Sequence, residues 1–108
     1  MMLALGKLDK NKNFRYYYIH DYQESLFKEF LLTVIWGKNQ ERGRHRIYSF
    51  RDSQEMRNKL NVLLTRKIRE GYHIYYSYPD LKEILSDIGA SRRLKERIER
   101  DRKRREVS

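Results

Sequence analysis

Apolar and polar residues alternate through three stretches in the first half of the chain, and that period gives way to a helical one after Asp52. Phe14 to His20 (FRYYYIH), Leu31 to Trp36 (LLTVIW) and Arg44 to Phe50 (RHRIYSF) are rich in aromatic and β-branched residues and read as strands. Alternation puts Leu32, Val34 and Trp36 on one side of the second of these, with Leu31, Thr33 and Ile35 on the other. On the third, Arg46, Tyr48 and Phe50 share a side and Ile47 takes the opposite one. Gly37 to Gly43 joins the two as a hairpin loop longer than the two-residue minimum. Met1 to Leu8 is expected to add an edge strand, and Asp21 to Phe30 admits either a loop or a single helical turn.

The period changes at Asp52. Met56, Leu60, Leu63, Leu64 and Ile68 recur at helical spacing, Asp52 is placed to cap, and Glu55 stands three residues on as in a capping box. Lys67 and Arg69 occupy the last turn, where the helix dipole favours cations, and Gly71 supplies a left-handed stop. A helix from Ser53 to Glu70 is expected, then a returning strand from Tyr72 to Tyr78. Beyond Pro79, Leu81, Ile84, Leu85 and Ile88 make a short amphipathic helix that Gly89 ends. After Ser91 the apolar positions thin to Leu94 and Ile98, too few to bury a stripe, so a charged helix fraying into disorder is expected. The pattern predicts an α+β fold: a twisted antiparallel sheet of four or five strands, one long helix across it, and a C-terminal helical extension. Residues 1–78 form the expected domain and 79–108 the short helix with its basic tail.

Composition narrows the function. The chain has 108 residues, a net charge of +10 and no cysteine, which leaves room for one small domain and removes disulfides and thiolate chemistry. Nine cations against four acids between Ser91 and Glu106 hold half of the excess charge. Such a balance attracts polyanions before any specific contact forms, and nucleic acid leads the expected partners. MMLALG is too short for a signal peptide, and no run approaches the ~18 apolar residues that cross a bilayer. No membrane association is expected, and the expected location is cytoplasmic, at the nucleoid in a bacterium.

Catalytic motifs are wanting. His20, His45 and His73 fall on separate predicted strands without metal-site spacing, and neither a phosphate loop nor a nucleophile elbow occurs. Pro79-Asp80 with Asp101-Arg102-Lys103 has the letters of a metal-dependent nuclease, but that chemistry wants a rigid core strand and Asp101 lies in a charge run. No catalysis, metal, cofactor or small-molecule substrate is expected.

The hairpin carries the positive signal. Trp36 offers a flat π surface beside Lys38, Arg42, Arg44 and Arg46, and Gly37, lacking a Cβ, leaves space near the indole. The same residues also fit a core tryptophan in phase with Leu32 and Val34, with a solvated turn. Trp36-Gly37-Lys38, then Arg42-Gly43-Arg44, the strand ending at Phe50, the helix after Asp52 and the closing Lys67 to Tyr72 resemble a WGR domain over Met1 to Ile74. WGR domains occur in poly(ADP-ribose) polymerases and as small bacterial proteins. The resemblance implies binding to DNA ends or nicks, with Trp36 on the sugar of the terminal nucleotide and basic neighbours on the 5′ phosphate. It also allows contact with another protein domain through Tyr75, Tyr76 and Tyr78; single-stranded RNA on tyrosine-rich strands is a further alternative. Lys38 stands where the family has Arg, so the bidentate fork is lost though the charge is kept. The family's first loop glycine is Gln40 here and its glutamine is Arg44. Tyr72 matches the family's closing aromatic and equally suits core packing. Too few residues follow Gly71 for the polymerase catalytic domain, so ADP-ribosylation is not expected of this chain. Arg92, Arg93, Lys95 and Arg97 are candidate secondary contacts to the nucleic-acid backbone, or simply a solvated charged helix with pairs such as Glu96 with Arg100.

Overall fold

The computed structural model describes residues 1–22 and 27–107. Five strands and three helices are present among them: β1 (Met2–Leu8), β2 (Phe14–His20), β3 (Phe30–Lys38), β4 (Arg44–Phe50), α1 (Ser53–Arg69), β5 (His73–Tyr78), α2 (Leu81–Asp87) and α3 (Arg92–Val107). The strands form one open antiparallel sheet in the order β4-β3-β2-β1-β5. The expected α+β class, with a helix across an antiparallel sheet and a helical C-terminal extension, is the one observed. β1 is not the edge strand that the sequence suggested. It pairs with β2 on one side and β5 on the other, because the chain crosses the sheet in α1 before laying down β5. The expected loop or turn at Asp21 to Phe30 falls partly on residues 23–26, outside the described residues.

Alternation builds the core. Leu3 and Leu5 of β1, Tyr17 and Ile19 of β2, and Leu32 and Val34 of β3 are all buried on one face of the sheet. Leu60, Leu63, Leu64 and Ile68 of α1 close over them, with Met56, Tyr48 and Phe50 packed at the margin. Burying one such side chain is worth roughly 1.5–3 kcal/mol, so this contact between helix and sheet dominates the fold's stability.

Both stop signals act as the sequence predicts. Asp52 caps α1 by accepting the Glu55 amide at 2.8 Å. At the other end Gly71 takes φ +96°, while its amide and that of Tyr72 donate to Ile68 and Lys67 carbonyls at 3.1 and 3.0 Å. That left-handed pair of bonds turns the chain straight into β5. Gly89 ends α2 in the same manner, which lets Ala90 return to the core beside Leu85.

The C-terminal region departs from expectation. α3 runs through Val107 as a docked helix, and Leu94 and Ile98 are 5% and 3% exposed. Two apolar residues one turn apart are enough here because they join a cluster with Leu81, Ile84 and Leu85 of α2 and with Ile88 just after it. Ser91 caps the helix, its hydroxyl accepting the Leu94 amide at 3.1 Å. Polar bonds then fasten α3 along β5, the outermost strand on that side. His73 Nδ1 lies 2.8 Å from Asp101 Oδ1, and Arg105 donates to the Ile74 carbonyl at 2.8 Å while its guanidinium stacks on Tyr75. An otherwise open sheet edge is thereby covered. Asp101 is held by His73 and Arg105, whereas the sequence left it in an unpacked charge run.

Candidate nucleic-acid interface

The sheet order and register decide which cations meet Trp36. Trp36 sits opposite Tyr17 on β2 and opposite Arg44 on β4, and Arg46 faces Val34 one pair further along. Residues directly opposite point to the same face, and Lys38 follows Trp36 at the strand period. Lys38, Arg44 and Arg46 therefore share the face of the indole. Trp36 is half-buried: it packs against the core cluster at its margin, where the ring is partly open to solvent. Trp36 therefore packs on the core, in phase with Leu32 and Val34, while keeping part of its surface open. Arg42 and Arg44 are exposed, as is Arg46, whose guanidinium lies over the Tyr48 ring at 4.7 Å.

The face around the indole holds further aromatic and cationic pairs that sequence reasoning missed. Lys59 of α1 covers Tyr48 at 4.6 Å, and Lys67 covers Tyr17 at 4.5 Å and Tyr72 at 5.4 Å. Lys7 also approaches the Tyr72 ring, at 4.9 Å. Burial pushes the Tyr17 phenol up to about 12, and Tyr72 is raised for the same reason, so both rings stay neutral beneath their ammonium groups. Only the helix crossing brings Lys59 and Lys67 here; their sequence signal was no more than that of exposed positions on an amphipathic helix.

Of the candidate residues, Gly37 is placed differently from the sequence reading, and Tyr72 takes the second of the two roles the sequence allowed it. Gly37 does not open space beside the indole. It faces the opposite side of the sheet, where the Tyr16 hydroxyl and the ring edge behind it take the space a Cβ would need. Gly43 abuts the same hydroxyl and the Trp36 carbonyl, so this second glycine is needed to seat Tyr16 as well. Tyr16 completes the lock by donating to the Glu41 carbonyl at 3.3 Å. Tyr72 is 8% exposed, edge-on to Tyr17 with centroids 6.1 Å apart, and takes the core packing that the sequence allowed.

The loop from Asn39 to Gly43 is tied to the β1–β2 turn. Asn39, at φ +54°, accepts the Phe14 amide at 2.9 Å through its side chain, which also donates to Asn13 at 2.9 Å. The turn itself is organised by Asp9, which accepts the Asn11 and Asn13 amides and pairs with Arg15 at 3.0 Å. The bond from the Asn13 amide leads the causes that hold the Asp9 carboxyl below its ordinary range. The cations of both loops, Lys10, Lys12, Lys38 and Arg42, thus stand at one end of the sheet.

A family model, that of the WGR domain, matches residues 1–77, most of the chain and all of the sheet but the last residue of β5. The chain belongs to the WGR domain family. At the level of the family a WGR domain is a non-catalytic, nucleic-acid-binding module, and the cationic face around Trp36 agrees with that. No curated protein and no solved structure matches the chain. The matched region ends within β5, so α2 and α3 extend beyond the WGR domain. No helix among the described residues is long and apolar enough to cross a membrane.

The secondary candidates on α3 divide between two sides of that helix. Arg93 and Arg97 line a groove between α1 and α3, whereas Lys95 lines a recess against α2 and Arg92 pairs with Glu96 at 3.1 Å. Glu96 thus takes Arg92 and not the expected Arg100.

Proposed function

We propose that this WGR domain binds DNA at ends or nicks, seating the terminal sugar or base on Trp36 and the adjoining phosphate among Lys38, Arg42, Arg44 and Arg46. One observation carries the reading: an indole open on one side, with Arg44 directly opposite it in the sheet and Lys38 and Arg46 on the same face. Such an array suits a strand terminus, which exposes a stackable ring together with a phosphate. Contacts confined to phosphate and sugar carry little sequence preference. Gly37 and Tyr72 act from behind, as packing residues.

The test is a competition among blunt duplex with a 5′ phosphate, closed circular duplex and single-stranded RNA. Linear duplex should win, and Trp36→Ala should lower its affinity about tenfold or more, since one stacked base is worth roughly 1–3 kcal/mol. Equal competition by circular duplex sinks the end preference, and preferential binding of RNA replaces the ligand. A second reading, as a docking module for another protein domain, draws on Tyr75, Tyr76 and Tyr78, which are 58%, 55% and 62% exposed. Association that is indifferent to salt, with no DNA bound, is the outcome that favours it.

A further inference from the structure

α1 and α3 leave between them a groove of about 900 Å³ that the end-binding site does not use. Arg93, Arg97, Arg100 and Arg104 line it from α3 and Arg69 from α1. Steps of four, three and four residues put the α3 arginines in one row along the helix. All five are exposed, and none pairs with an acid among the described residues. Three of the four acids of α3 are paired with other cations, Glu96 with Arg92, Glu99 with Lys103, and Asp101 with His73 and Arg105, and the fourth, Glu106, lies outside the groove. Asp101 also lines the groove but is held by His73 and Arg105, so five guanidinium groups are gathered along one channel with a single, already paired carboxylate. Such clustering opposes folding by mutual repulsion, and a bound polyanion relieves it.

We infer that this groove is a channel for the sugar–phosphate backbone of duplex DNA, extending the contact beyond the terminus held at Trp36. The inference rests on DNA being the partner of the hairpin site. From Arg93 to Arg104 the row spans about 16 Å at 1.5 Å per residue. Of the rings lining the groove, Tyr72 is buried and covered by Lys7 and Lys67 and the His73 imidazole is tied to Asp101, so no free ring awaits an unpaired base and a paired strand fits better. Continuity favours the same ligand at both places. Lys67 lies over both Tyr17, the cross-strand neighbour of Trp36, and Tyr72, which forms the groove wall.

The experiment uses the full chain and compares Arg97→Glu/Arg100→Glu with a charge-matched pair outside the groove, Lys82→Glu/Arg102→Glu. Binding to blunt duplexes of about ten and about thirty base pairs is measured across a salt series. The groove pair should lose at least tenfold in affinity for the longer duplex and lower the salt slope by about two, while linear duplex still outcompetes circular. The control pair should change affinity less than about threefold, as solvated charges do. Trp36→Ala should do the reverse of the groove pair, removing the preference for ends and leaving the slope in place. Equal weakening by both pairs, an unchanged slope in the groove pair, or equally effective competition by polyglutamate overturns the inference. Arg97→Gln/Arg100→Gln, with a smaller loss of the same kind, decides the matter should the reversed charges disturb folding. Loss of end preference as an idea would show in the circular competition alone, so the two readings fail separately.

Discussion

Tyr16 and Tyr17 are neighbours in the chain and meet opposite surroundings. Tyr17 is buried under α1, edge-on to Tyr72 and capped by the Lys67 ammonium. Tyr16 lies on the uncovered face, tilted against Tyr18 at 5.1 Å and seated in the space left by Gly37 and Gly43. The same residue type serves on one face as a neutral platform under cations and on the other as a wedge that fixes the hairpin. The difference is a single step along a strand, and it shows that a cationic and aromatic surface is made by which face the helix selects more than by composition.

Removing core volume from the covered face should have the largest effect. Leu64→Ala, at a side chain with 0% exposure, should cost about 2–5 kcal/mol in chemical denaturation. A loss under 1 kcal/mol would mean that the helix does not close the sheet as described. The wedge comes next. Gly43→Val puts side-chain atoms against the Tyr16 hydroxyl and the Trp36 carbonyl, and should destabilise by about 1–3 kcal/mol. Substituting Tyr16 by Ala in the same background should recover part of that loss, and an absence of recovery would break the proposed link between the glycines and the ring.

Alkali tests the covered face more gently. A phenol raised from 10.0 to about 12 binds its proton more tightly in the folded state, so the folded chain holds more protons than the unfolded one between those values. Stability is fully present below pH 10 and falls as pH rises toward 12. Tyr17→Phe should flatten the decline in denaturation midpoint across that window, leaving the share due to Tyr72. A decline of the same steepness would assign the effect elsewhere. The smallest change belongs to the open face: Tyr76→Ser, at a residue 55% exposed, should shift stability by about 0.5 kcal/mol or less.

How legible each part was follows from where its cause lies. Asp52, Gly71 and Gly89 announced the helix ends because capping bonds form within a few residues and depend on local chemistry. Leu32, Val34 and the α1 leucines were readable because burial of one face imposes a period. The tail was misread for the opposite reason. Leu94 and Ile98 make a poor stripe by themselves, and their burial depends on α2 and on a sheet edge that the chain built many residues earlier. Gly37 was misassigned although strand parity already turns it away from Trp36, and that Tyr16 fills the space is decided across strands.

The sequence alone determined the class of the fold, the positions of the strands and helices, the cationic hairpin and the resemblance to a WGR domain, since each depends on residue type and spacing within a short window. Only the tertiary structure decided that β1 lies inside the sheet, that Lys59 and Lys67 join the Trp36 face, and that five arginines from two helices share a groove. Those outcomes depend on where the crossing helix and the returning strand come to rest. That is set by the free energy of burying the whole core, which no local pattern contains.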